Sequence, residues 1–227
     1  IILEKMPTIG GNSIIDAGEL CAAGTPQQKE KNEKASPDLL APDMMRNGLF
    51  LNDPKKVKFV SEHAHDNYEW LVNEIGVEFM PVVGFTGFME KSVKDGLIKE
   101  YPTLDALAAD WKMPPEALKE TVSQINTYFE EGKDPQFGRI VKGLKPMKEG
   151  PWYAMEMSPK VHHCMGGLAT TVDGKVLDVS TLEPIPGLYA AGEATGGTHG
   201  AVRMGTNAIL DCLVNGRAAG KAAATQN

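Results

Sequence analysis

Apolar positions in the middle of this chain recur with a helical period, and the last third breaks into short apolar runs between glycines. Val57, Val60, Ala64, Tyr68, Leu71 and Ile75 follow one another at three- and four-residue steps, which places them on one face of a helix. Asp53-Pro54 opens that helix with a cap residue and a proline in the first turn, and Gly76 closes it. Ser36-Pro37 and Asn47-Gly48 bracket an earlier helix by the same signals. Thr103 caps a short helix carrying Leu104 and Leu107. Pro114-Pro115 begins another, with Leu118, Val122, Ile125 and Phe129 on one side and Gly132 as its stop. Residues 1–4 read as the end of a buried strand, residues 7–13 as a glycine-rich turn, and residues 27–34 as a solvent loop. His63 and His65 lie near the polar side of the central helix and read as part of a solvated face. Leu188-Tyr189-Ala190-Ala191 reads as a strand, and a final helix is predicted from about Asn207 to Ala223.

Composition narrows the function classes. The chain has 227 residues, a formal net charge of −7, 42% hydrophobic and 23% charged residues. Those proportions suit one large domain or two small ones with a real core. The acidic balance argues against a nucleic-acid partner, since such binding rests on Lys and Arg neutralising phosphates. An anionic small molecule stays open, because a site needs only one or two local cations. No run approaches the roughly 20 apolar residues of a membrane helix. The opening Ile1-Ile2-Leu3-Glu4 lacks an initiator Met and reads as a non-natural start, with a leader removed or not included. Cys21, Cys164 and Cys212 are odd in number and form no C-x-x-C, which speaks against a zinc site, a c-type haem or a disulfide framework.

Three stretches carry candidate chemistry. In the first, Leu3-Glu4-Lys5 precedes Gly10-Gly11-Asn12-Ser13. A carboxylate at a strand end can accept hydrogen bonds from a ribose, and paired glycines let backbone N–H groups approach a pyrophosphate. Taken alone, an ordinary turn is the commoner reading. In the second, Val161-His162-His163-Cys164-Met165-Gly166-Gly167, two histidines stand before a glycine pair. No third ligand lies at useful spacing for a metal. A histidine that binds a substrate carboxylate and a satisfied structural histidine carry equal weight there. The third, Gly187-Leu188-Tyr189-Ala190-Ala191-Gly192-Glu193 and then Gly196 through Ile209, is far more specific. An apolar strand ends in Gly-Glu, and a glycine-dense loop runs straight into a helix. The N–H groups of Ala208 and Ile209 fall at the positive end of that helix. Arg203, just before it, offers a planar fork suited to a carboxylate.

With those residues in place, the chain resembles the FAD-binding subunit shared by soluble fumarate reductases, flavocytochrome-type fumarate reductases and urocanate reductase. The resemblance rests on Ile2-Leu3-Glu4-Lys5, Gly10-Gly11-Asn12-Ser13, His162-His163-Cys164-Met165-Gly166-Gly167 and Gly187 through Ile209. The stretches 52–76 and 103–139 are similar in pattern. It implies an α/β fold, with a Rossmann-like FAD-binding domain and an α+β capping domain. Residues 1–84 would form the N-terminal part of the FAD-binding domain and residues 85–150 a remnant of the cap with its return connection. Residues 151–227 would form the C-terminal part of the FAD-binding domain.

By the same resemblance Glu4 would bind the adenosine ribose of FAD, Asn12 and Ser13 would contact the cofactor, and Ala17-Gly18 would pass near the flavin. Glu193 would hold the ribityl or phosphate side, and Ala208 and Ile209 would meet the pyrimidine ring through backbone. His162 and Arg203 would clamp a carboxylate of an α,β-unsaturated acid while reduced FAD delivers hydride. An electron donor is implied and its kind is open between a cytochrome, a flavin domain and a partner subunit. Extracytoplasmic and cytoplasmic settings are equally open. The resemblance also implies that segments are missing. No glycine-rich fingerprint precedes Glu4. The family's general-acid arginine belongs to a segment without counterpart between about Met80 and Phe88. Val202, Met204 and Thr206 depart from the family's usual Asn, Leu and Gly, which bears on the substrate. A related ketosteroid-type FAD dehydrogenase would not need His162 with Arg203, and a flavin electron-relay protein would bind FAD without oxidising it on an enoate.

Overall fold

The helices form where their ends are chemically marked. The computed structural model describes residues 3–15, 18–80, 85–159 and 161–225. Helix α1 (Pro26–Glu30) starts in a capping box, in which the Thr25 hydroxyl accepts from Gln28 N and the Gln28 side chain accepts from Thr25 N. Helix α2 (Pro37–Asn47) has proline at its first position and buries Leu40 and Met44. Helix α3 (Pro54–Glu62) is capped by Asp53, whose carboxylate accepts from Lys55 N at 2.9 Å.

The single helix expected over residues 54–75 is divided. α3 ends at Glu62, α4 (Ala64–Trp70) follows, and a wide turn at Leu71–Ile75 leads to Gly76 in the left-handed conformation. The buried face survives the break at His63, since Val57, Val60, Ala64, Tyr68 and Leu71 are all buried. Ile75 departs from it, at 55% exposed, because the wider turn rotates it off the stripe. His63 is exposed, as expected of a polar face, whereas His65 is half-buried and bonds the carbonyl of Ala23 through Nδ1.

The chain divides into two units, Ile1–Pro81 with Val161–Asn227, and Val82–Lys160. In the first, α2 packs on α3, and both α3 and α4 pack on the last helix, α8 (Asn207–Thr225). Ala23, Leu40, Met44, Val57, Val60, Ala64, Leu210 and Val214 form its core. Arg217 of α8 stacks over the Trp70 ring at 4.3 Å, tying α4 to that helix. The strand expected at residues 1–4 is absent from its described part. Leu3 is 91% exposed, and no strand among the described residues pairs with it.

The second unit holds α5 (Phe85–Lys94), α6 (Leu104–Asp110) and α7 (Pro115–Glu131). The Thr103 hydroxyl caps α6 at Ala106 N, and Gly132 ends α7 in the left-handed region. Leu118, Val122, Ile125 and Phe129 are half-buried. Strand β1 (Lys99–Tyr101) pairs antiparallel with β2 (Trp152–Ala154), so residues 152–154 belong to this unit. In the first unit β3 (Lys175–Leu177) pairs antiparallel with β4 (Pro184–Tyr189), the strand anticipated before Gly192. No helix among the described residues is long and apolar enough to cross a membrane.

Candidate flavin and carboxylate site

The glycine-rich loop between β4 and α8 has few side chains with which to hold itself, and neighbouring backbone holds it instead. Asp53 N donates to Gly197 O at 2.7 Å and Ala201 N donates to Gly48 O at 3.0 Å. The Asn52 amide donates to Thr198 O at 2.8 Å, and the Asn47 amide to Val202 O at 2.9 Å. The corner between α2 and α3 thus fixes residues 197–202. Lys56 reaches the other end of the loop from α3. Its ammonium donates to Gly196 O at 2.7 Å and to Thr170 Oγ1 at 2.8 Å. Burial pushes its pKa below the usual lysine value, against the opposing pull of Asp53 and Asp211.

The His-His-Cys-Met-Gly-Gly stretch is strapped to the same loop. Leu168 N donates to Ala194 O at 2.9 Å, and Gly196 N donates to Leu168 O at 3.1 Å. Glycine is required at 167, because a Cβ there would lie 2.5 Å from Ala194 O. The Glu193 carboxylate accepts from Cys164 N at 2.9 Å. Glu193 therefore organises the histidine stretch in addition to any contact it makes with a ligand.

The predicted site residues fall as follows. His162 is exposed, and its neighbour His163 turns inward, as alternate residues of an extended segment do. Arg203 is half-buried, its Nη1 donates to Met204 O at 3.1 Å, and its Nε is buried without a hydrogen-bond partner among the described residues. Ala208 and Ile209 occupy the first turn of α8, whose N–H groups have no acceptor within the helix. Gly205, just ahead of it, is exposed and would direct a Cβ into open space. Glu4 is exposed and accepts from Met6 N at 2.9 Å. Asn12 and Ser13 sit in a 3-10 turn over Gly11–Ile15, with Gly10 and Gly11 at positive φ, and Ser13 is exposed. Gly18 is exposed at φ +73°, and Ala17 lies outside the described residues. The segment that follows Gly18 runs to the start of α8, where Cys21 N donates to Thr206 O at 3.2 Å. Burial raises the Cys21 thiol pKa there, and hydrogen bonds with Thr206 and Asn207 oppose the rise.

Several buried groups were not foreseen. His163 and His199 meet edge to face, Asp211 lies against His199, and Lys56 and Asn52 hold the loop. Lys56 had a readable signal, since it shares the i, i+4 face with Val60 and Ala64 and so had to be buried. His199 had none beyond its place in the glycine-rich run.

Comparison with known proteins decides the family. The FAD binding domain family matches residues 1–97 and 89–209. The chain belongs to that family. FAD is accordingly its cofactor, and the α/β FAD-binding fold anticipated from the resemblance is confirmed. The open conformation of a flavocytochrome c3 fumarate reductase superimposes over 95% of this chain and 72% of that one, with a TM-score of 0.66 at 21% identity. An NADH:acrylate oxidoreductase of Vibrio harveyi is 41% identical over 135 residues, 60% of this chain and 13% of that protein. A probable fumarate reductase of Shewanella frigidimarina is 47% identical over 122 residues, 54% of this chain and 20% of that protein. The matched part thus spans a fifth or less of these two relatives.

The residues present fit FAD. The Ala208 and Ile209 N–H groups, which have no acceptor within α8, the open space before them at Gly205, and the Arg203 Nε without a partner among the described residues suit an electron-rich ring edge beside an anion. The exposed Glu4 carboxylate and the Gly10-Gly11 turn offer hydroxyl and phosphate contacts.

Proposed function

We propose that this chain is part of an FAD-dependent reductase of the carbon–carbon double bond of α,β-unsaturated carboxylates, a class that includes acrylate, fumarate and urocanate. The observation that carries this is Arg203 just ahead of α8, with its Nε buried and without a hydrogen-bond partner among the described residues, beside the Ala208 and Ile209 N–H groups that have no acceptor within the helix. In this reading Arg203 and the exposed His162 hold the substrate carboxylate. Their positive charge draws electron density from the double bond and favours the transition state over the ground state. Ala208 and Ile209 present backbone N–H groups to the flavin pyrimidine, where the helix end favours negative charge. When bound and reduced, FAD supplies the hydride for the β-carbon, and a proton completes the α-carbon. Glu4, Asn12, Ser13, Ala17 and Gly18 serve the adenosine and flavin contacts, and Glu193 the ribityl or phosphate side. Residues 1–84 and 151–227 form the flavin-binding part in this reading, save that residues 152–154 pair with β1 in the second unit, and residues 85–150 correspond to the cap and its return. The names of the relatives include an NADH-linked and a cytochrome-linked enzyme, and a cytochrome, a flavin domain and a partner subunit each suit this chain as electron donor.

The test is anaerobic reduction of the flavoprotein, followed by mixing with acrylate, fumarate and urocanate. Reoxidation of the flavin by one acid is expected. Arg203→Ala should lower kcat/KM for that acid by at least about a hundredfold, the scale for losing one charge-stabilising donor. Unchanged turnover in Arg203→Ala would remove the clamp assignment. A flavin that no enoate reoxidises would remove the reductase reading.

A further inference from the structure

One lysine joins three segments of the first unit that lie far apart in sequence. Leu168 pairs in parallel with Thr195, so that Leu168 N donates to Ala194 O and Gly196 N donates to Leu168 O. The next rung of a parallel ladder would run from Thr170 N to Gly196 O. The Lys56 ammonium stands there instead, donating to Gly196 O at 2.7 Å and to Thr170 Oγ1 at 2.8 Å. Two of its three N–H groups are placed in this way.

The stem of the lysine is fitted as closely as its head. Lys56 is 6% exposed. Gly197 stands at φ +100°, and a Cβ there would lie 3.2 Å from Lys56 Cδ and 3.4 Å from Asp53 Cβ. A glycine at 197 therefore lets the loop lie on the lysine stem. Burying an ammonium is costly unless polar groups surround it. Burial does oppose the Lys56 charge, and Asp53 at the cap of α3 and Asp211 of α8 favour it, while a carbonyl and a hydroxyl accept from it.

The two segments it joins carry the two halves of the carboxylate clamp. Thr170 closely follows the stretch from His162 to Gly167, and Gly196 opens the loop that leads to Arg203. From these contacts we infer that Lys56 is a positioning residue, which closes the open end of the pairing between Leu168 and Thr195 and so sets the spacing between the segment bearing His162 and the loop bearing Arg203. The corner between α2 and α3 holds residues 197–202, and Lys56 holds the end that the corner does not reach. An apolar side chain of similar length would fill the space but leave Gly196 O without its donor. The consequence for the clamp rests on the proposed function, whereas the closure of the pairing does not.

The experiment follows amide hydrogen exchange by NMR in the FAD-loaded parent, Lys56→Met, Thr170→Val and Thr170→Ser. In Lys56→Met the Gly196 and Leu168 amides should exchange at least about tenfold faster, the scale of one hydrogen bond from a charged group. The Ala201 amide, held by Gly48 O, should keep its rate. Thr170→Val should give a smaller acceleration at the same two amides, and Thr170→Ser, which keeps the acceptor, should show the parent rates. Unchanged rates at Gly196 and Leu168 in Lys56→Met, or an equal rise at Ala201, would overturn the inference. If Lys56→Met does not fold, the Thr170 variants decide, and equal rates in Thr170→Val and Thr170→Ser overturn it. Succinate, a saturated dicarboxylate, is then titrated by the change in flavin absorbance. Its Kd should rise about tenfold in Lys56→Met, less in Thr170→Val and not at all in Thr170→Ser, with FAD still bound. A Kd that does not follow the exchange rates would remove the link to the clamp. Absence of succinate binding to the parent would count against the proposed function, while the exchange rates still decide the closure.

Discussion

Replacing one of two adjacent glycines by alanine should break the strap between the histidine stretch and the glycine-rich loop, and replacing the other should not. A Cβ at Gly167 would sit 2.5 Å from Ala194 O, 2.7 Å from Thr195 C and 2.8 Å from Ala194 C. All three are backbone atoms, so no side chain can turn aside. Restoring ordinary contact needs the two segments to part by roughly 1 Å, which forfeits the bonds from Leu168 N to Ala194 O and from Gly196 N to Leu168 O. Two net hydrogen bonds are worth about 1–3 kcal/mol, and forced overpacking adds about 1–3 kcal/mol. Gly167→Ala should therefore cost about 2–6 kcal/mol, a large share of the ~5–15 kcal/mol of a whole domain. At about 2–4 °C per kcal/mol for a chain of this size, Tm should fall by roughly 4–24 °C. At Gly166 nothing lies within 4 Å of the added Cβ, so Gly166→Ala should move Tm by no more than about 2 °C. Thermal unfolding followed by circular dichroism measures both. Equal shifts in the two variants, or a loss under about 0.5 kcal/mol in Gly167→Ala, would refute the steric reasoning.

Two further outcomes concern the second unit. The Arg139 guanidinium, with backbone N–H groups of Phe137 and Gln136, holds the Asp134 carboxyl down at about 2, below the usual 3.8 of an aspartate. Because the folded pKa is the lower one, the stabilisation is present above about pH 4 and is lost as pH falls through about 2. Amide exchange at Gln136 and Phe137 should accelerate across that window, and Asp134→Asn should remove the dependence. At the start of α6, Thr103→Ala deletes the acceptor for Ala106 N and should cost about 1 kcal/mol, read as a lower midpoint in urea. Thr103→Ser should retain most of it.

Helix ends were legible because their signals are local. Asp53-Pro54, Ser36-Pro37, Thr103 and Gly132 act within one turn of themselves, and each marks a helix end in the fold. The 3.6-residue stripe likewise found the buried face from Val57 to Leu71. The stripe could not show the break at His63, since burial continues across it while the hydrogen-bond ladder changes. Nor could it show that Ile75 turns out to solvent on the wider turn. Leu3 read as a strand from apolarity alone, but a strand needs a partner, and pairing is a long-range property. The site shows the same division. The start of α8 was visible from the glycine run into a helix. The contacts of His163 with His199, and of Lys56 with Gly196, join residues far apart in sequence, and no local pattern encodes such meetings.

The corner between α2 and α3 explains how a loop so poor in side chains can present Arg203 at a fixed place. Leu49 and Phe50 both adopt positive φ, 55° and 58°, a conformation that costs non-glycine residues about 1–2 kcal/mol each. Their side chains repay nothing by burial, being 63% and 67% exposed. The strain is offset in the backbone and amides around them. Gly48 O accepts from Ala201 N, the Asn47 and Asn52 amides reach Val202 O and Thr198 O, and Asp53 N reaches Gly197 O. Four such bonds, at about 1 kcal/mol net each, are of the size needed to hold two strained residues. A relaxed corner would free Gly48 O and move Asn52, and the loop from Gly197 to Val202 would lose its anchors together. The strained turn is thus the mould for the glycine-rich loop, and its sequence should tolerate glycine at Leu49 or Phe50 far better than proline, whose fixed negative φ would unmake the corner.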